Sequence, residues 1–178
     1  MTVETLLWGQ GFAWAELQAR ERTFSLQIPD AARRNLARSL QLEHLTRLEA
    51  RLTVKAWLDG LCVDGWVEGV AGRLCGLTLE PFDETVKERL TLRLVPHGSP
   101  NAPQDDGGEV VVDLEGEDPP EVVDGAVIDL GAYVVEAFAV GLDPFPRKPG
   151  AVFVAPEEPV AISPFAALKG LADPSKRS

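Results

Sequence analysis

Cysteine, histidine, methionine and tyrosine are all scarce in this chain: two Cys, two His, one Met and one Tyr among 178 residues. Cys62 and Cys75 are too few for the disulfide framework of a small secreted domain and suit a reducing compartment. With His44 and His97 they are the obvious zinc candidates, but their spacings match no usual ligand pair, so no metal is expected. A phosphate-cradling loop is missing as well, because Gly9-Gln10-Gly11 lacks both a further glycine and a strand-to-helix setting. Neither a nucleophile elbow nor a metalloprotease His pair occurs, so the case for catalysis is thin and no cofactor is expected. Long apolar runs are absent too, which excludes a membrane-spanning helix. Leu6 to Leu17 is apolar, yet no basic flank precedes it and Gln10 and Glu16 interrupt it, so it does not read as a signal peptide. The expected location is the cytoplasm.

Positive charge is also in short supply, with 17 Lys and Arg against 28 Asp and Glu and a net charge of -11. Such a balance ordinarily argues against nucleic acid, whose binding depends on cations that neutralise phosphate. The deficit is uneven: Met1 to Gly60 carries roughly +1 and the remainder roughly -12. The first third therefore remains free to face an anion.

What is present is an ordinary globular composition, 45% hydrophobic and 25% charged, enough for one domain with a real core. The helix that organises it begins at Asp129, whose side chain can accept from first-turn amides, and carries Leu130, Val134, Phe138 and Leu142 on one stripe. Gly141 and Pro144 end it. Val135, Ala137, Ala139 and Val140 make it apolar nearly all round, which predicts a helix packed between a sheet and another layer.

Earlier in the chain, Leu7 to Leu17 is ambiguous between strand and helix, with strand slightly favoured. Thr23 to Ile28 alternates as a strand before Pro29, and Asp30 caps an amphipathic helix over 31–42, with Leu36 and Leu40 on one face and Arg34 and Arg38 on another. Thr46 to Leu58 alternates without a break: Leu48, Ala50, Leu52 and Val54 against Arg47, Glu49, Arg51, Thr53 and Lys55. A turn at Asp59-Gly60 leads to a return strand with Val63, Gly65, Val67, Gly69 and Ala71 on one face, where the glycines predict close approach of another element. Thr85 to Val95 repeats the pattern, Val86, Leu90, Leu92 and Leu94 inward and Lys87, Arg89 and Arg93 outward. Pro96 to Gly108 reads as loop, and Val110 to Val112 as a short strand.

The fold class is therefore α+β: an antiparallel sheet of long strands packed against a C-terminal buried helix and a second amphipathic helix. A single domain is expected over 1–142, followed by a Pro-rich, extended or partly disordered tail over 143–178. Within the tail, Phe165 and Leu168 fall on one side of a short apolar turn and are candidates for docking into a partner protein.

If the strands share one sheet, Arg47, Arg51, Lys55, Lys87, Arg89 and Arg93 emerge on one wet face, with Trp57 and Trp66 as stacking surface for bases. The plainer account is a solvated face with its charges partly paired to Glu49 and Glu88. The acidic residues Asp105, Asp106, Glu109, Asp113, Glu115, Glu117 and Asp118 lack the spacing of a calcium loop and read first as solvated loop, with a divalent cation or a basic protein as the partners they would otherwise attract.

Several of these segments together resemble the YceD family, the large ribosomal RNA subunit accumulation proteins. Ile128-Asp129-Leu130, Leu142-Asp143-Pro144-Phe145-Pro146 and Ser163-Pro164-Phe165-Ala166-Ala167-Leu168 look like the family's three C-terminal marks, and Val70 to Phe82 looks like its central segment. Many members carry a Cys-x-x-Cys pair there; here the first position is Gly72 and only Cys75 remains. The resemblance implies a bacterial cytoplasmic, non-enzymatic ribosome-biogenesis factor that supports accumulation or processing of large-subunit ribosomal RNA. Two mechanisms follow. The chain would bind precursor RNA through the sheet face and the helix bearing Arg33, Arg34 and Arg38, or it would hold a basic ribosomal protein on its acidic part. The rivals are a metal-dependent RNA-processing enzyme using Asp83, Glu84 and Asp129, and a structural docking module.

Overall fold

The computed structural model describes residues 3–6, 8–103 and 118–153. The strand expected at Val110 to Val112, the acidic residues from Asp105 to Glu117, and Phe165 and Leu168 lie outside them.

Three long strands dominate: β4 (His44–Trp57), β5 (Gly60–Leu74) and β6 (Pro81–Pro96), all antiparallel. Their period-two pattern dictates this arrangement, because it gives each strand one apolar face to bury. Ahead of them stand β1 (Val3–Leu6), β2 (Gly11–Ala13), α1 (Trp14–Gln18), β3 (Arg22–Gln27) and α2 (Asp30–Ser39). β7 (Glu121–Val123), β8 (Val127–Asp129) and α3 (Leu130–Gly141) follow.

Among the described residues the main sheet has six strands in the order β1-β3-β4-β5-β6-β7, and β2 pairs separately with β8. The expected α+β fold is present, with an antiparallel centre whose outermost pairs, β1 with β3 and β6 with β7, are parallel. The ambiguous stretch before Leu17 contains both a strand and a helix, β2 running directly into α1.

One apolar layer holds the domain. Leu48, Ala50, Leu52 and Val54 of β4, Val63, Val67 and Ala71 of β5, and Val86, Leu90 and Leu94 of β6 are buried together with Leu130, Val134 and Phe138 of α3. α2 adds Leu36 and Ala37 to the same core, and its C-cap residue, Leu40, joins them. Its first residue is Asp30, one position later than a cap would be: Pro29 is the N-cap, and Asp30 instead pairs with Arg33 at 3.0 Å. The hairpin turn is likewise displaced by one residue, onto Leu58 and Asp59. Gly60 opens β5, where a side chain would run into the carbonyl oxygen of Leu94.

α3 differs from its expectation on its outer side. It covers the sheet through Leu130, Gly131, Val134 and Phe138, but Val140 is 81% exposed, so among the described residues no second layer encloses it there. After α3 the chain stays fastened to the sheet. Arg73 pairs with Glu84 at 3.2 Å and donates to the carbonyl of Asp143, whose amide donates to Glu84 at 2.9 Å. The amide of Gly76 donates to the carbonyl of Pro146 at 2.8 Å. The start of the expected tail is thus bound to the β5–β6 hairpin, because its backbone completes polar groups at the hairpin's end. No helix among the described residues is long and apolar enough to cross a membrane.

Candidate nucleic-acid interface

Cross-strand register determines which side chains share the sheet's open face, since directly paired residues point the same way. Arg51, Trp66 and Arg89 form one row across β4, β5 and β6, and Lys55, Cys62 and Arg93 form another. Glu49, Glu68 and Lys87 make a third row, with Arg47 beside it, opposite Val70. All six cations expected on this face are therefore on it. Arg34 and Arg38 are not: they lie on the exposed side of α2, whose other side enters the core. The helix and the sheet face do not converge into one basic surface.

Several of these charges are paired among the described residues. Arg47 is held between Glu68 and Glu49, the latter at 3.3 Å, and Arg89 donates to Asp64 at 2.9 Å, with the Thr91 hydroxyl donating to the same oxygen at 3.0 Å. The bond from Arg89 holds the Asp64 carboxyl below its ordinary range against a slight desolvation, helped by Thr91 and by the charges of Arg89 and Lys55. Glu88, expected as a counter-charge here, sits on the opposite face, under the end of α3 against Gly141. Among the described residues the carboxylates on this face are Glu49, Glu68, Asp64 and, at its far end beside His44, Asp83, against the six cations.

Trp66 is 51% exposed at the centre, with the Lys87 ammonium 5.5 Å from its ring centroid. Arg93 lies over Trp57 in the same manner at 5.1 Å. Arg51 makes no hydrogen bond or ion pair among the described residues, and together with Ser25, Glu49, Trp66 and Glu68 it lines an open depression of about 300 Å³. An aromatic surface bordered by cations can stack a base while the cations meet phosphate. Alternation in the sequence placed Asp64 and Glu68 on this face too; their pairing with Arg89 and Arg47 required the register between strands.

The other candidates separate. Asp83 faces His44, with Nε2 and Oδ1 2.9 Å apart, Glu84 is engaged by Arg73, and Asp129 accepts from the amide of Gly131 at 2.8 Å to cap α3. Among the described residues no three His, Cys, Asp or Glu side chains gather as a metal site. Gly72 is set by packing, since the His44 ring fills the space a side chain would need. Cys62 and Cys75 are free thiols. Cys75 is covered by the thin turn around it rather than by the core. A hydrogen bond with Thr78, then one with the backbone of Lys148 and others from the turn, brings its thiol down to about 7.

Comparison with protein-family models, with curated proteins and with solved structures finds no match to this chain.

Proposed function

We propose that this chain is a non-enzymatic RNA-binding factor of ribosome biogenesis, which holds a single-stranded segment of large-subunit ribosomal RNA against the open face of its sheet. The observation that carries the reading is the row Arg51-Trp66-Arg89, an exposed indole between two cations on a face where, among the described residues, six Lys and Arg accompany four carboxylates. Stacking on Trp66 would tolerate any base, while Arg51, Lys55, Lys87 and Arg93 would follow the phosphates. The choice of ribosomal RNA, and the cytoplasmic location it carries, rests on the resemblance of the segments around Asp129, Asp143 and Cys75 to the YceD family. A second reading, escort of a basic ribosomal protein, draws on the net charge of -11.

The test is binding of the purified chain to labelled precursor large-subunit RNA across a salt series, with an unrelated structured RNA of equal length as control. The RNA reading predicts selective binding that weakens with salt, and a loss of about tenfold or more for Trp66→Ala and for Arg51→Glu. Absence of binding at low salt would reject it and leave the basic-protein reading.

A further inference from the structure

A second surface lies on the opposite side of β6. β7 pairs only with Leu94, Val95 and Pro96, so among the described residues the long remainder of β6 has no strand on its outer edge. Beside this edge runs one stripe of α3, Tyr133, Glu136, Ala137 and Val140, spaced so that all four face the same way. Together helix and strand enclose a hollow of about 230 Å³ with a largely apolar floor that includes Leu90, Leu92 and Ala137. Its rim is acidic on balance: Glu88, Glu121 and Glu136 line it against one cation, Arg89, which Asp64 already engages. Tyr133 donates to Glu121 at 3.0 Å, and burial, that bond and the nearby charges of Glu121 and Glu136 raise its phenol well above the ordinary value.

We propose that this groove takes an extended basic segment of a partner protein, added as a further strand to the edge of β6. An open edge supplies backbone donors and acceptors, and the helix beside it provides room for alternate side chains, the two elements of strand-addition recognition. Apolar side chains of the partner enter between Leu90, Leu92 and Val140, and its intervening Lys or Arg side chains meet Glu88, Glu121 and Glu136. Charge decides the occupant. A second copy of this chain, itself at -11, would bring like charge to an acidic rim, whereas a basic segment is drawn to it. The groove meets the face of the RNA reading at Arg89, which lines both, so the test reads α3, which belongs to the groove alone.

The experiment titrates isotope-labelled full-length chain with short peptides alternating Lys or Arg with Val or Leu, and with counterparts in which Glu replaces each basic residue. Expected are amide shifts in β6 and along α3 from Tyr133 to Val140, and slower hydrogen exchange on the β6 edge. Glu136→Lys and Val140→Lys, both at exposed positions, should each lower affinity for the basic peptide about tenfold with an unchanged unfolding curve. Equal affinity for the acidic peptide, shifts centred on Trp66, or light scattering that shows a second copy paired at β6 would each overturn the proposal.

Discussion

The ring of Phe138 rests on the backbone of β5 at Gly69, in the space a side chain there would need, and Phe138 is completely buried. This contact sets how closely α3 approaches the sheet. Gly69→Val should cost about 1–3 kcal/mol through overpacking. Denaturant unfolding would register that loss as a lower midpoint, with partial recovery when Phe138→Leu is added. A neutral effect would mean that the helix can lift off the sheet.

Asp64 is the carboxylate that occupies Arg89 on the open face. Asp64→Asn should strengthen RNA binding, on the order of fivefold at low salt, since removing one negative charge near the phosphates is worth about 1 kcal/mol. The salt series already described measures it. Weaker binding would count against phosphate contact on this face.

The cap on α3 predicts a modest and local effect. Asp129→Ala removes the acceptor for the Gly131 amide and should cost about 1 kcal/mol, with faster amide exchange confined to the first turn of the helix. Loss of a metal-dependent activity in this variant would instead revive the enzyme reading.

Arg73, Glu84 and the backbone of Asp143 form a largely covered clamp, both side chains being 16% exposed. Glu84→Ala leaves the guanidinium and the Asp143 amide without this acceptor and should cost roughly 1–3 kcal/mol. Limited proteolysis should then cut earlier between Pro144 and Gly150. An unchanged cleavage pattern would show that the hairpin bond from Gly76 to Pro146 suffices.

Cys75 gives the fold a pH dependence of known sign. Its folded value, about 7, lies below the ordinary 9.0, so the folded state holds the thiolate better than the unfolded chain does. The resulting stabilisation is complete above about pH 9 and is lost as pH falls through about 7. Thermal unfolding across that window should show the rise in the native chain and its absence in Cys75→Ala, and Thr78→Val should move the thiol back toward its ordinary range.

Much of this arrangement was legible because strand alternation is a local property. Leu48 to Val54 announced β4 and its wet face, and the same period assigned Lys87, Arg89 and Arg93 to the open side of β6. One expectation failed where neighbours decide. Glu88 follows the alternation to the inner face, where the end of α3 covers it, and so cannot neutralise the outer cations. Arg34 and Arg38 remain with a helix whose apolar side has to face the core, which takes them away from the sheet's basic rows.

The sequence by itself determined the long strands, the capped apolar helix and the facing of each strand residue, since these follow from side-chain period, turn residues and the hydrophobic stripe. Only the tertiary structure decided which cation meets which carboxylate, that Trp66 stands between Arg51 and Arg89, and that α3 runs beside an edge of β6 that has no strand on it among the described residues. Register and layer order are set by contacts between segments distant along the chain, such as Phe138 on Gly69 and Arg73 on Glu84, and local periodicity carries no record of those partners.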